Sequence, residues 1–154
     1  MPLNKSRQKR RAAKRQQQIP QQIPDPQMPV GLELITFSFK HLDIEHKKFP
    51  LTACNADFYQ ELLRTIKSYS GWSVERFCEQ NHQFHRHLID FESTTEPQGF
   101  ELDEQLDSGE YWQICLKPTE KWRVHGFIVG STFFIKWLDP EHLLCQPTGK
   151  KQPK

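Results

Sequence analysis

The segment Trp122–His142, WRVHGFIVGSTFFIKWLDPEH, decides the fold, because it combines a β-hairpin with a row of titratable side chains. Gly130-Ser131 fits a two-residue type II′ turn, which takes glycine at its first central position. The turn sets Val129 opposite Thr132, and the register that follows predicts a buried, uniformly apolar face with these pairs: Ile128 with Phe133, Gly126 with Ile135, and Val124 with Trp137. Asp139-Pro140 should end the second strand, since proline cannot donate to the ladder.

The other face of the hairpin is predicted to carry cationic and titratable groups beside aromatic rings. Its expected pairs are Arg123 with Leu138, His125 with Lys136, and Phe127 with Phe134, and His142 lies just beyond the strand. Arginine and lysine bind phosphate, and histidine exchanges protons near pH 7. The sequence therefore predicts His125 and Lys136 as cross-strand neighbours, opposite Trp137. Both an anion-binding or acid/base site and an ordinary half-exposed sheet face fit this pattern.

The residues before the hairpin predict an α+β fold, an antiparallel sheet packed on one side by two helices in the order β-β-α-α-β-β-β. The expected strands are residues 32–40, with Ile35, Phe37 and Phe39 alternating, then 47–54, a short strand within 85–100, and 111–117. A helix is expected from an N-cap at Asn55 to Gly71, with these residues inward: Phe58, Leu62, Ile66 and Tyr69. Ser73 should cap a shorter helix that ends near Glu79.

Charge divides the chain into a single domain, residues 30–145, and two tails, 1–29 and 146–154, that read as disordered. The first tail is basic and then rich in Gln and Pro, a composition that cannot bury a core. Its basic residues are predicted to bind nucleic acid or the ribosome through phosphates: Lys5, Arg7, Lys9, Arg10, Arg11, Lys14 and Arg15. Ten of the 21 Lys and Arg residues lie in the tails, whereas 18 of the 19 acids lie in the body, so the body has 11 basic residues against 18 acids. The body should therefore repel polyanions mildly.

Four cysteines without a C-x-x-C pair, Cys54, Cys78, Cys115 and Cys145, predict reduced thiols in a cytoplasmic protein. The chain has no apolar run long enough for a membrane span and no glycine loop for a nucleotide cofactor, so neither is expected.

Two further polar clusters invite a functional interpretation. Cys78, His82, His85 and His87 carry zinc-ligand atoms, but their spacing matches no standard zinc motif, so a polar loop is favoured and no metal is predicted. His87 also lies near Asp90, Glu92 and Glu96, as in catalytic His–carboxylate pairs. The neighbouring turn residues, Glu96-Pro97-Gln98-Gly99 among them, favour a role in shaping a loop.

From HRHLIDFESTTEPQGF to FFIKWLDPEH, the chain resembles a group of small prokaryotic and mobile-element proteins that share R-V-H-G-F and W-x-D-P-x-H. The resemblance covers roughly residues 32–144. The element order is also similar to that of RelE-type toxins, which are ribosome-dependent mRNA endonucleases of toxin–antitoxin modules. This resemblance implies that Arg123 and Lys136 hold phosphate while His125 or His142 handles protons.

Two functions are compatible with these features. The first is a RelE-like protein that binds RNA and acts as an endoribonuclease, with the ribosome and an antitoxin-like protein as partners. The alternative is a non-catalytic accessory protein of a mobile element, which binds nucleic acid through its basic tail and a protein through its acidic body.

Overall fold

The computed structural model describes residues 33–79 and 86–145, which lie within the predicted domain. The predicted tails, 1–29 and 146–154, fall outside the described residues. A five-stranded sheet forms the centre of the described part. Its strands are β1 (Thr36–Ser38), β2 (Arg86–Leu88), β3 (Tyr111–Cys115), β4 (Arg123–Val129) and β5 (Thr132–Asp139).

The strands lie in the order β1-β5-β4-β3-β2. Strands β2 to β5 form an antiparallel meander, whereas β1 pairs with β5 in parallel. The α+β class and the two helices are therefore confirmed, and the sheet is mixed instead of wholly antiparallel. The parallel pair arises because the chain leaves β1, passes through both helices to the far edge of the sheet, and returns to β1 only through β5.

Both helices begin and end where the sequence predicts. Helix α1 spans Ala56–Tyr69, and the Asn55 side chain accepts a hydrogen bond from the backbone N–H of Phe58 at its start. Helix α2 spans Val74–Cys78, and Ser73 caps it in the same way through the N–H of Arg76. These side chains accept bonds from N–H groups that have no partner within the helix. In the described residues, no helix has the length and apolar character to cross a membrane.

Each face of the sheet is covered. On the helix-side face, strand residues pack against α1 and α2: Trp112, Ile114, Val124, Ile128, Phe133, Ile135 and Leu138. On the loop-side face, Phe127 and Trp137 pack against irregular segments that contribute Phe49, Phe91, Phe100 and Leu144. The loop-side face is therefore a second core, and the expectation that it is half exposed is wrong. Buried apolar area on both faces stabilises the sheet.

The segment 47–54 is not a strand, in contrast to the sequence prediction. Pro50 lacks a backbone N–H, and its carbonyl accepts a bond from Ala53, so a short 3-10 helix forms over Leu51–Ala53. The first predicted strand is also shorter than expected. Phe39, the last of its three alternating residues, is 47% exposed. The alternation that was predicted to bury Phe39 therefore ends with β1 at Ser38.

A β-bulge in β5 changes the register of the hairpin halfway along its length. The turn is as predicted, with a positive φ of 61° at Gly130 and the pairs Val129–Thr132, Ile128–Phe133, Phe127–Phe134 and Gly126–Ile135. Beyond Gly126, the next residue, His125, pairs with Trp137, so Lys136 is an additional residue in β5. The backbone N–H of Asp43 donates to the Lys136 carbonyl at 3.0 Å.

The bulge overturns three predicted pairs. Val124 lies opposite Leu138, His125 opposite Trp137, and Arg123 opposite Asp139. One extra residue shifts the alternation by one, which transfers every later side chain of β5 to the other face. Trp137 is buried as predicted, but on the loop-side face beside His125. His125 and Lys136 are therefore not a cross-strand pair.

Gly126 is required where the register changes. A Cβ built at Gly126 would lie 2.3 Å from the Phe134 carbonyl oxygen and 2.4 Å from the Phe133 ring. Both distances are far below van der Waals contact, and one of the two neighbours is backbone. The glycine of the R-V-H-G-F motif thus allows the Phe133 ring to pack directly over β4.

We expect Gly126→Ala to lower the free energy of unfolding by about 1–3 kcal/mol, the usual cost of overpacking a core. Gly71→Ala is the matched control, because nothing lies within 4 Å of a Cβ built there; its effect should stay within about 0.5 kcal/mol. Urea denaturation of both variants measures the difference, and equal effects would contradict the proposed close packing.

Candidate functional site

Polar side chains form a row across the loop-side face of the sheet. The register aligns His87 of β2 with Gln113 of β3, Gln113 with His125 of β4, and His125 with Trp137 of β5. Because the four residues are successive cross-strand neighbours, their side chains project from the same face. Arg123 and Asp139 form the next pair along the strands.

The first half of this row is a chain of hydrogen bonds. His87 Nδ1 lies 2.8 Å from the Leu88 carbonyl oxygen, so it donates there, and its Nε2 accepts from the Gln113 amide at 2.9 Å. The amide oxygen of Gln113 accepts from the Cys145 thiol at 3.2 Å. His87 is exposed, whereas Gln113 is buried. The chain thus connects the edge strand to residues that follow β5.

His125 and Asp139 form a fully buried pair beside this chain. His125 Nε2 lies 2.9 Å from Asp139 Oδ2, and neither side chain is accessible to solvent. Asp139 also accepts the backbone N–H groups of Leu143 at 2.8 Å and Leu144 at 3.0 Å. The carboxylate therefore joins β4 to the turn that follows β5, which explains why an aspartate immediately precedes Pro140.

The electrostatics of the pair favour an ionised Asp139 and a neutral His125. Burial lowers the pKa of His125, and the hydrogen bond and charge of Asp139 offset only part of this effect. Burial works to raise the pKa of Asp139, but the bonds from His125, Leu143 and Leu144 outweigh it and lower that pKa. His125 Nε2 therefore carries the proton and donates to the carboxylate, while Nδ1 is buried without a partner among the described residues.

His142 and Arg123 lie beside the buried pair and are half-buried. His142 has a positive φ of 55°, which is uncommon for a residue with a Cβ. Burial lowers the pKa of His142, and the positive charge of Arg123 lowers it further. The guanidinium of Arg123 donates through Nη1 to the carbonyl oxygens of Glu120 and Trp122, both at 3.0 Å. These bonds hold its orientation.

We call this group of residues the polar corner: His87, Gln113, Arg123, His125, Asp139, His142 and Cys145. Within it, Arg123 interacts electrostatically with three of the other members, His125, His142 and Cys145. Burial raises the pKa of Cys145, which keeps this thiol protonated at neutral pH. The corner therefore combines a half-buried guanidinium and a half-buried neutral imidazole with a fully buried His–Asp pair. The Nε2 atom of His142 is itself buried and has no partner among the described residues, so Nδ1 is the nitrogen of this ring that remains available.

The structure separates the four predicted catalytic residues into three environments. Arg123 and His142 are half-buried members of the polar corner, His125 is fully buried within it, and Lys136 lines a separate cavity of about 470 Å³. The bulge accounts for the separation of Lys136 from His125. The predicted nucleic-acid-binding residues of the tail, Lys5 to Arg15, lie outside the described residues.

The expectation that residues near His87 shape a loop is confirmed. Asp90 Oδ1 accepts from the N–H of Glu92 at the start of a 3-10 helix, and Gly99 donates to the Glu96 carbonyl at 3.0 Å in the predicted turn. For the zinc alternative, His82 and His85 lie outside the described residues. Among the described residues, no three or more His, Cys, Asp or Glu side chains are placed so that they could hold one metal ion.

Three members of the polar corner, Gln113, Asp139 and Cys145, were not predicted as site residues. Gln113 is a polar residue in an otherwise apolar strand, and a buried glutamine requires hydrogen-bond partners. That requirement is a signal available in the sequence, but the identity of the partners is not.

Comparison of the chain with protein-family models, curated proteins and solved structures gave no match.

We expect Asp139→Asn to lower the free energy of unfolding by about 1–3 kcal/mol, because an amide cannot accept from His125, Leu143 and Leu144 together and leaves a buried N–H group without a partner. Glu141→Gln, at an exposed neighbouring position, should change it by less than about 0.5 kcal/mol. Thermal or urea unfolding at pH 7 measures both. A small effect of Asp139→Asn would show that the pair does not hold the 139–144 turn.

Acidification should reveal the neutral state of His125. Because its folded pKa lies below the unfolded value of about 6.5, the unfolded chain takes up this proton first, and stability falls as the pH drops below 6.5. Asp139 acts in the same direction at lower pH, because its folded pKa is depressed and its contribution is lost as the pH falls through that value. The stability difference between wild type and His125→Gln should therefore shrink from pH 7 to pH 5 in urea titrations. A difference that grows would mean that His125 is charged in the folded protein.

Proposed function

We propose that the protein binds RNA in the cytoplasm and cleaves it at the polar corner, with Arg123 holding a phosphate and His142 accepting a proton. The proposal rests on one observation: Arg123 and His142, both expected from sequence to serve such chemistry, are half-buried and close enough for the charge of Arg123 to lower the pKa of His142. The resemblance to RelE-type toxins supports the same substrate, and it extends the proposal to the ribosome and an antitoxin-like partner.

The chemistry requires no cofactor. His142 removes the proton of a ribose 2′-hydroxyl, the 2′ oxygen forms a bond to the adjacent phosphorus, and the bond from phosphorus to the 5′ oxygen breaks. The leaving oxygen takes a proton from solvent, which yields a 2′,3′-cyclic phosphate and a 5′-hydroxyl. Arg123 stabilises the charge that develops on the phosphate oxygens.

The state of His142 suits this role. An imidazole accepts a proton only in its neutral form, and the lowered pKa of His142 makes that form predominate at pH 7. Asp139 binds Leu143 and Leu144 and so fixes the backbone next to His142. The buried pair thus acts through the position of His142 instead of touching RNA.

The basic tail supplies the attraction that the body lacks. Between residues 89 and 116 the chain has eight Asp and Glu residues and no Lys or Arg, so this stretch repels a polyanion. The seven basic residues from Lys5 to Arg15 would bind the phosphate backbone without sequence preference. In the proposed arrangement, the tail captures RNA and the polar corner acts on it.

The acidic stretch also supports the alternative function, a non-catalytic accessory protein whose body binds a basic protein. Deleting residues 1–29 distinguishes the two. The nuclease model expects cleavage to persist at high RNA concentration with a raised KM, whereas the accessory model expects binding to be lost and no cleavage in either form.

We expect Arg123→Ala and His142→Ala each to lower kcat/KM for cleavage of a labelled RNA by about 10²-fold or more, within the range of acid–base and phosphate-binding contributions. Lys121→Ala is the control, because it removes an exposed positive charge two residues from Arg123; it should leave the rate within about twofold. The assay uses the full chain with and without ribosomes, and it identifies the 2′,3′-cyclic phosphate on the product.

The rate should also fall as the pH drops through the lowered pKa of His142, since protonation removes the base. If neither purified protein nor protein with ribosomes cleaves RNA, or if both substitutions leave the rate unchanged, the nuclease proposal is wrong.

A further inference from the structure

A cavity of about 470 Å³ opens on the loop-side face, where Lys136 projects from the bulge of β5. Its volume lies within the range that accommodates small ligands. The lining is mainly polar and carries charge of both signs. Asp43, Glu96 and Glu101 contribute carboxylates, and Lys136 contributes an ammonium group.

Two aromatic residues, Phe100 and Trp137, contribute to the lining of the cavity. Phe100 and Trp137 are both buried and meet edge to face, with ring centroids 4.7 Å apart. The His46 ring packs 4.9 Å from Trp137, and its Nδ1 accepts the backbone N–H of Lys48 at 3.1 Å. The N–H of Phe49 also donates to this nitrogen, at 3.3 Å, so the orientation of the His46 ring is fixed. Because the Phe100 and Trp137 rings are almost fully buried, the polar side chains of the lining determine which ligand fits the cavity.

The three carboxylates that line the cavity differ in whether they already have a hydrogen-bond or ion-pair partner. Glu96 forms an ion pair with Lys48, and Asp43 Oδ1 accepts from the N–H of Glu45 at 3.2 Å. Within the described residues, neither the Glu101 carboxylate nor the Lys136 ammonium makes a hydrogen bond or ion pair. Glu101 is exposed and has a positive φ of 53°, a strained backbone conformation of the kind that clusters at binding sites.

These charges restrict the ligand. Three carboxylates repel a phosphate, so the cavity does not suit a phosphoryl group. An arginine side chain would match the carboxylates, but it has no acceptor for Lys136 and would be repelled by it. The complementary ligand is flat, presents N–H donors side by side, and carries an acceptor as well.

We propose that this cavity binds a guanine base, with Glu101 accepting from N1–H and the N2 amino group and Lys136 donating to O6 or N7. Among the bases of RNA, guanine presents two parallel donors beside an acceptor, which a carboxylate and an ammonium group satisfy together. This inference rests on the proposed function only where it gives the cavity a role in RNA recognition. Binding of the free base is a separate property of the cavity.

Titration calorimetry of the full chain with guanosine tests the proposal, because a nucleoside has no phosphate to bind Arg123. Guanosine should bind, and inosine, which lacks the N2 amino group, should bind about tenfold more weakly or worse. Adenosine should bind no better than inosine. Glu101→Gln and Lys136→Gln should each weaken guanosine binding by about tenfold.

Glu104→Gln is the matched control, because Glu104 is exposed in the same acidic stretch but does not line the cavity. It should leave guanosine binding unchanged. Lys117→Gln, at the rim of a second cavity, controls for loss of a lysine. Circular dichroism of each variant verifies that the fold is retained.

Three results would overturn the proposal: no binding of guanosine, equal binding of guanosine and adenosine, or binding of N-acetyl-arginine amide in preference to guanosine. The last would assign the cavity to a basic side chain of a protein. The calorimetric titration measures guanosine binding independently of whether the protein cleaves RNA. Cleavage without any dependence on guanine or on Glu101 would leave the proposed nuclease in place and contradict only the base assignment.

Discussion

The extra residue in β5 is the constraint on which the rest of the structure depends. Before the bulge, Phe133 and Ile135 face the helices; after it, Leu138 faces them, and Trp137 and Asp139 turn to the opposite face. Gly126 permits this change because the Phe133 ring and the Phe134 carbonyl occupy the place of a Cβ. The bulge thus positions both candidate sites, since it brings Asp139 to His125 and directs Lys136 into a separate cavity.

The buried His125–Asp139 pair gives the loop-side core a defined arrangement. Two ionisable groups without solvent contact are stable only if their hydrogen bonds are satisfied, and Asp139 accepts three, from His125, Leu143 and Leu144. This requirement specifies one path for the chain after β5, and that path places His142 beside Arg123. A buried structural pair and two half-buried reactive groups are therefore parts of one arrangement.

Local signals in the sequence were sufficient for the elements that local chemistry determines. Asn55 and Ser73 cap their helices as expected, and Gly130 makes the predicted turn, because each depends on a few adjacent residues. The buried set Val124, Ile128, Phe133, Ile135 and Trp137 was also correct. The predicted face of Trp137 was wrong, because a strict alternation of side chains contains no information about an inserted residue.

The candidate site could be predicted only in part, for the same physical reason. Arg123 and His142 were chosen by residue type, and the fold brings them together. The burial of His125 was missed because irregular segments cover the loop-side face, and their packing depends on contacts between distant residues such as Phe49 and Trp137. Gln113 and Cys145 are 32 positions apart and meet only through the sheet. No sequence period encodes such a meeting.

The state of the His125 ring is the most direct test of this account. A long-range proton–nitrogen spectrum of the histidine side chains reports which ring nitrogen carries the proton and whether the ring titrates. The structure predicts a proton on Nε2 of His125, slow exchange of that proton with water, and signals that stay unchanged from pH 8 to pH 6. A His125 ring that exchanges rapidly and titrates near pH 6.5 would place it at the surface and contradict the bulged register.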